Sequence, residues 1–164
     1  MSLTIRPMTA SDNPAVAQII RSVMPEFGAG GAGFAIHDPE VSAMFEAYAR
    51  PRAQYFVVEL NGEVCGGAGI AQLTDAAPEL CELRKMYFLP VLRGRGAGQA
   101  LMQECLKFAR SAGFTQVYLE TLTGMDAAQR LYTRSGFAPI AKALGATGHF
   151  GCNRFYLLEL APKA

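Results

Sequence analysis

The sequence predicts a mixed α/β fold, a sheet with helices on its faces, from three observations. Strand-like runs cluster in the middle of the chain, strand and helix alternate after them, and two helical stretches precede them. At 164 residues a single domain over 1–164 is expected, because two independent cores would each be thin. With 51% hydrophobic and 18% charged residues, the chain has enough apolar surface for one substantial core.

The elements follow in order. Leu3 to Arg6 alternates apolar and polar residues, a short strand ended by Pro7. Ser11 can cap a helix from Asn13 to Met24, with Pro14 in its first turn and Val16, Ile19, Ile20 and Val23 at helical spacing. A glycine-rich loop follows, and a second helix is expected from Val41 to Ala49, stopping before Pro51. Gln54–Leu60 and Glu63–Leu73 flank Asn61-Gly62, a strong hairpin signal, and Gly66-Gly67 marks an irregular strand. Glu79–Leu89 completes the meander. A long helix runs to Ala112 with Leu101, Cys105 and Phe108 on one face, stopped by Gly113. Strand 115–121, helix 125–135, and strands 137–140 and 153–160 complete the order β-α-α-β-β-β-α-β-α-β-β.

Fifteen Lys and Arg against 14 Asp and Glu leave a net charge of +1, which argues against a nucleic-acid partner. Cys65, Cys81, Cys105 and Cys152 form no CxxC pair and share no spacing with His37 and His149. No metal site or disulfide framework is therefore expected, and buried free thiols fit better. No apolar run reaches the roughly 18 residues of a membrane span, and the start lacks a signal-peptide pattern. The expectation is a soluble cytoplasmic protein without a membrane partner.

Two glycine clusters need separate treatment. Gly28-Ala29-Gly30-Gly31-Ala32-Gly33 matches G-x-G-x-x-G, but a helix precedes it and no helix opens directly after it, so a loop is the better reading than a dinucleotide site. Arg93-Gly94-Arg95-Gly96-Ala97-Gly98 lies between a strand and a long helix. There, glycine backbone and helix N–H groups can wrap phosphate oxygens, with arginine charge beside them. A plain strand-to-helix turn with solvated arginines fits this loop equally well.

The stretch Glu82 to Gly98 resembles the coenzyme A motif of the GNAT superfamily of N-acetyltransferases, (Arg/Gln)-x-x-Gly-x-(Gly/Ala) with a proline shortly before it. Ala128-Gln129-Arg130-Leu131-Tyr132-Thr133-Arg134-Ser135-Gly136-Phe137 resembles the family's Ala-x-x-Leu-Tyr-x-x-x-Gly-Phe. Met125 departs from the family, which often has Asn there. Thr147 to Phe155 resembles a terminal pattern of a bacterial subgroup, some members of which are fused to MarR-type regulators. The resemblance implies a mostly antiparallel sheet of about six to seven strands, flanked by about four helices. It implies acetyl-CoA as acetyl donor and no metal.

The same resemblance implies the site. Arg93, Gly94, Arg95, Gly96, Ala97 and Gly98 would hold the pyrophosphate. Met86, Tyr87 and Phe88 would pair with the pantetheine arm, and a backbone N–H there would face the oxyanion. The acceptor would be a primary amine of a small molecule, amino acid or peptide. An alkyl amine of pKa ~10.4 is neutral in only about one molecule in a thousand at pH 7, so a general base helps. Glu82 and Glu120 both qualify, and each also fits an exposed strand carboxylate paired with Arg84 or Lys85. Tyr132 matches the family's proton donor to the departing thiolate, although its helix stripe also suits a core aromatic. Cys81 and Cys152 have no basic partner visible in the sequence, so direct attack in a ternary complex is expected rather than an acetyl-enzyme. The acceptor wall would include Glu26, Phe27 and His149. A homodimer is an option that the resemblance leaves open. The alternative function is a non-catalytic acyl-CoA-binding or sensor module.

Overall fold

The computed structural model describes residues 2–27, 30–31, 35–121, 125–149 and 151–160. Its elements are β1 (Leu3–Pro7), α1 (Asn13–Val23), α2 (Met44–Tyr48), β2 (Gln54–Leu60), β3 (Glu63–Gln72), β4 (Leu80–Phe88), α3 (Ala97–Ser111), β5 (Gln116–Thr121), α4 (Asp126–Arg134), β6 (Ala138–Ile140) and β7 (Arg154–Glu159). They follow the expected order. The strands form one seven-stranded sheet, β1-β2-β3-β4-β5-β7-β6. Every neighbouring pair is antiparallel except β4–β5.

Helices cover both faces of the sheet. Val16, Ile20, Met44 and Tyr48 of α1 and α2 pack with Tyr55, Val57 and Ala71. Leu101, Met102 and Cys105 of α3 and Leu131 and Tyr132 of α4 pack with Val58, Ile70, Leu83 and Leu119. A fully buried side chain such as Leu101 stabilises the fold by about 2 kcal/mol. Cys65, Cys81 and Cys105 are buried free thiols, as expected, and Cys152 is half-buried. Among the described residues, no helix is long and apolar enough to cross a membrane.

Two helix starts differ from expectation. Thr9 and Asp12, rather than Ser11, form the capping arrangement ahead of α1: the Asp12 carboxylate accepts from the Thr9 N–H at 2.7 Å. Arg6 donates to both Asp12 oxygens and, with the Thr9 bonds, outweighs the effect of burial, holding this carboxyl below its usual range. The second helix is shorter than the expected 41–49, because a 3-10 turn at Pro39–Ser42 and Ala43 at φ −144° delay its start. The cap of α2 comes from across the fold, where Asn13 Oδ1 accepts from the Phe45 N–H at 2.9 Å. Local sequence carries no trace of such a long-range cap.

Two irregularities prepare the site. β4 and β5 pair only at Leu80–Gln116, Cys81–Val117 and Glu82–Tyr118, and they diverge beyond this point. Within β4, Tyr87 faces Gly67 but Arg84 faces Gly69, so Lys85 and Met86 share the place opposite Ala68. Lys85 takes the left-handed region at φ +50°, and its carbonyl accepts from the buried Tyr55 hydroxyl at 2.7 Å. The expected irregularity at Gly66-Gly67 serves this same packing. A Cβ on Gly67 would lie 2.5 Å from Tyr55 Cε1 and 2.7 Å from the Phe56 carbonyl. Gly67→Ala is therefore expected to destabilise the fold by about 1–3 kcal/mol in chemical denaturation, and a wild-type midpoint would contradict the packing described.

Candidate active site

A cleft of about 430 Å³ opens where β4 and β5 part. The end of β4 supplies Met86, Tyr87 and Phe88, and the following turn supplies Arg93, Gly94, Gly96, Ala97 and Gly98. Met125, Ala128, Leu131 and Tyr132 close the opposite side. Gly94 (φ +76°) and Gly96 (φ +75°) hold the turn in the left-handed region, where a side chain would be strained. Gly96 is the N-cap of α3, so the first N–H groups of that helix lie at the cleft without intrahelical acceptors. Polar N–H groups at one end and apolar walls along the rest suit a molecule with an anionic head and an extended arm.

Arg93 donates to Glu26 Oε2 at 2.9 Å and to the Phe88 carbonyl at 3.0 Å. Glu26, expected on the acceptor wall, thus stands beside the turn at the cleft. Arg95 donates to the Val91 carbonyl at 2.6 Å and does not line the cleft. The side chain of Phe27 and most of the loop 28–33 lie outside the described residues.

Glu82, Glu120 and His149 come together at the last paired rung of β4 and β5, each offering one atom within 4.8 Å of the others. Glu82 is only 4% exposed, and its Oε1 accepts from Arg84 Nε at 2.6 Å. The pairing with Arg84 matches one sequence reading, but the exposure does not. Burial raises the Glu82 carboxyl above its usual range and outweighs the opposing charge of Arg84. Both Glu120 oxygens accept hydroxyl hydrogen bonds, Oε2 from Tyr118 at 2.6 Å and Oε1 from Thr147 at 2.5 Å.

His149 reaches this cluster from the loop before β7. Its Nε2 lies 2.8 Å from Asp38 Oδ2, and its Nδ1 lies 4.0 Å from Glu120 Oε1. Asp38 also accepts from Lys85 Nζ at 2.8 Å, and Glu40 lies 3.3 Å from the same nitrogen. The Lys85 side chain is 1% exposed, and these two carboxylates are its ion-pair partners. Burial pushes the Asp38 carboxyl up, but the hydrogen bonds from His149 and Lys85 prevail and hold it below its usual range.

Tyr132 is buried and packs edge-on against Phe137 and tilted against Tyr156, with ring centroids 6.0 and 5.9 Å away. Burial, then Tyr156 and Cys152, raise its phenol, so it keeps its proton at neutral pH. Tyr132 is a core aromatic that also lines the cleft. The Cys152 thiol is pushed up to about 12 by burial and by the charges of Glu120 and Glu82, which leaves it protonated and poorly nucleophilic.

Asp38, Lys85, Thr147 and Tyr118 were not singled out by sequence reasoning. Three of them act through an irregular backbone, a 3-10 turn, a bulge or a loop, which carries no periodic signal. Tyr118 was visible only as a strand residue two places before Glu120, on the same face.

Residues 16–137 match the model of the Acetyltransferase (GNAT) family. The chain is 43% identical over 160 residues to the uncharacterized N-acetyltransferase YjgM of Escherichia coli K12, covering 97% of this chain and 96% of YjgM. It is 38% identical over 101 residues to the N-alpha-acetyltransferase RimI of Mycobacterium tuberculosis, covering 61% and 62% of the two chains. In fold it is similar to a GNAT-family acetyltransferase from Staphylococcus aureus Mu50 (TM-score 0.82, 20% identity, 98% of this chain and 100% of that one). It is also similar to yncA of Salmonella typhimurium, solved with its cofactor acetyl-CoA (TM-score 0.81, 23% identity, 100% and 97%). A cleft with a glycine turn at a helix N-terminus, together with a family match over most of the sequence, leads to one conclusion: this chain belongs to the GNAT family of acetyltransferases, which draw their acetyl group from acetyl-CoA.

Proposed function

We propose that the protein transfers the acetyl group of acetyl-CoA to a primary amine of a small molecule, amino acid or peptide, by direct attack with both substrates bound. The observation that carries this reading is that one strand, β4, supplies both Glu82 of the Glu82–Glu120–His149 cluster, at its last rung with β5, and Met86, Tyr87 and Phe88 of the cleft. Acetyl-CoA, when bound, supplies the acetyl group and a thiol leaving group. The turn Arg93–Gly98 would take the pyrophosphate, through N–H groups at the start of α3 and the Arg93 charge, and backbone at Met86–Phe88 would align the arm.

Glu82 takes the proton from the amine. Its raised carboxyl brings its proton affinity closer to that of its task, and Glu120 already accepts from two hydroxyls. Tyr132 gives its proton to the departing thiolate. Cys152, a protonated thiol beside two carboxylates, is unsuited to carry the acetyl group itself.

The test is free-thiol release from acetyl-CoA by the purified protein across a panel of primary amines. Amine-dependent release is expected. Stabilisation by acetyl-CoA in a thermal shift, with no release on any amine, would instead identify a sensor module. Stabilisation by NAD but not by coenzyme A would overturn the reading altogether.

A further inference from the structure

Two neighbouring cations on β4 are committed to different acids. Lys85, on the bulge, pairs with Asp38 and Glu40 at 2.8 and 3.3 Å. Arg84, two residues from Glu82 and on the same side of the strand, donates from Nε to Glu82 Oε1 at 2.6 Å. The Arg84 side chain is 13% exposed and that of Glu82 5%, so water and salt screen this pair little. Arg84 is anchored at a second point, because its Nη2 donates to the Gln72 carbonyl at the end of β3, at 3.2 Å. Its partner in register is Gly69, where a Cβ would lie 2.7 Å from Tyr48 Cε2, so the Tyr48 ring fills the space beside this rung.

The two oxygens of Glu82 are therefore unequal. Oε1 is taken by Arg84, whereas among the described residues Oε2 accepts no hydrogen bond. Glu120 differs, since both of its oxygens are occupied, by Tyr118 and Thr147. A carboxylate gripped at one oxygen by an anchored donor keeps the lone pairs of the other in one place. Burial pushes the Glu82 carboxyl toward its protonated form, and Arg84 opposes this by charge and hydrogen bond. Glu120 on β5 adds to the effect of burial, and His149 in the loop before β7 adds to that of Arg84. Tyr48 of α2, Tyr118 of β5, Tyr87, Cys81 and Cys152 also face this charge. Each of them is raised, chiefly by burial, and brings no charge of its own at neutral pH.

We infer that Arg84 is a positioning residue for the reaction: by gripping Oε1 it fixes Glu82 and reserves Oε2 to take the proton of the amine. This rests on the reading of Glu82 as the base. The attacking nitrogen gives one proton to Oε2 while its electron pair forms the bond to the acetyl carbon. The carbon–sulfur bond breaks, and the departing thiolate receives the Tyr132 proton. Arg84 stays charged throughout, so it balances Glu82 before the transfer and keeps the base ionised at neutral pH despite its burial.

Two variants test this. Arg84→Gln removes the charge, whereas Arg84→Lys keeps it but puts a carbon where Nε donates. In both, the titration of Glu82 is followed by carboxyl ¹³C NMR of the full-length protein, its resonance being the one absent from Glu82→Gln. The pH profile of kcat/KM for the amine is recorded alongside. In Arg84→Gln the titration midpoint and the acid limb are both expected to rise by about one pH unit or more. In Arg84→Lys both should stay near the wild type while kcat falls about tenfold, because the charge remains and the grip on Oε1 is lost. The KM for acetyl-CoA should change in neither. An unmoved midpoint in Arg84→Gln, or one raised equally in the two variants, would overturn the role of Arg84. Wild-type kcat in Arg84→Lys would overturn the grip on Oε1. A midpoint that rises while the acid limb stays in place would remove Glu82 as the base, and with it the part of Arg84 in the reaction. The titration needs no turnover, so an inactive protein would sink the acetyl-transfer reading without being confused with failure of the hold on Glu82.

Discussion

Tyr132→Phe is expected to lower kcat by about a hundredfold, with the KM for acetyl-CoA nearly unchanged. The substitution removes one hydroxyl and keeps the ring, so the contacts with Phe137 and Tyr156 at 6.0 and 5.9 Å survive. Stability should change little, because the tyrosine belongs to the core through its ring. What is lost is a proton held at neutral pH at the wall of the cleft, where the thiolate of the leaving group would form. An unprotonated thiolate is a poorer leaving group, and the effect falls on the chemical step rather than on binding. Steady-state kinetics with a thermal melt as control separates the two. Wild-type turnover in Tyr132→Phe would end the proton-donor assignment and leave the residue a core aromatic.

Glu82→Gln is expected to lower turnover to a comparable degree and also to change its pH dependence. A general base works only when ionised. Burial raises the Glu82 carboxyl, so the active form is lost as pH falls through a value above the ordinary carboxylate range. In the wild type, kcat/KM for the amine should therefore decline on the acid side through that raised value. In Glu82→Gln the same limb should disappear while the rate falls about a hundredfold. Glu120→Gln should keep the limb, because its two oxygens already serve the Tyr118 and Thr147 hydroxyls. The reverse pattern would make Glu120 the base, and unchanged profiles in both variants would exclude either.

Much of the fold was legible because it rests on short-range rules. The Asn61-Gly62 hairpin appears with both residues in the left-handed region, at φ +52° and +85°. Gly113 follows α3 as its sequence position implied. The turn at Arg93–Gly98 was readable because strand, glycines and helix are contiguous. Met86, Phe88 and Tyr132 were placed by the family resemblance, and all three line the cleft.

The surroundings of Glu82, Glu120 and His149 were harder to read, for a physical reason. Strand alternation from Glu82 and Arg84 would put Lys85 on the opposite face, but the bulge returns it to the same side, where it meets Asp38 and Glu40. Asp38 and His149 are 111 positions apart and meet only because the loop before β7 folds toward the turn before α2. Glu26 illustrates the converse: its position near the glycine loop suggests the acceptor wall, and Arg93 holds it at 2.9 Å beside the turn before α3. Local patterns place backbone well, whereas charged side chains are placed by partners distant in sequence.

The most direct test of direct acetyl transfer is mass spectrometry of both the acceptor and the protein after incubation with acetyl-CoA and the amine panel. The expected result is an N-acetylated amine and a protein of unchanged mass, including at Cys152, which lies with its thiol pushed up to about 12. An acetyl group on Cys152 that passes to the amine in a second incubation, or bound acetyl-CoA with no acetylated amine at all, would contradict it.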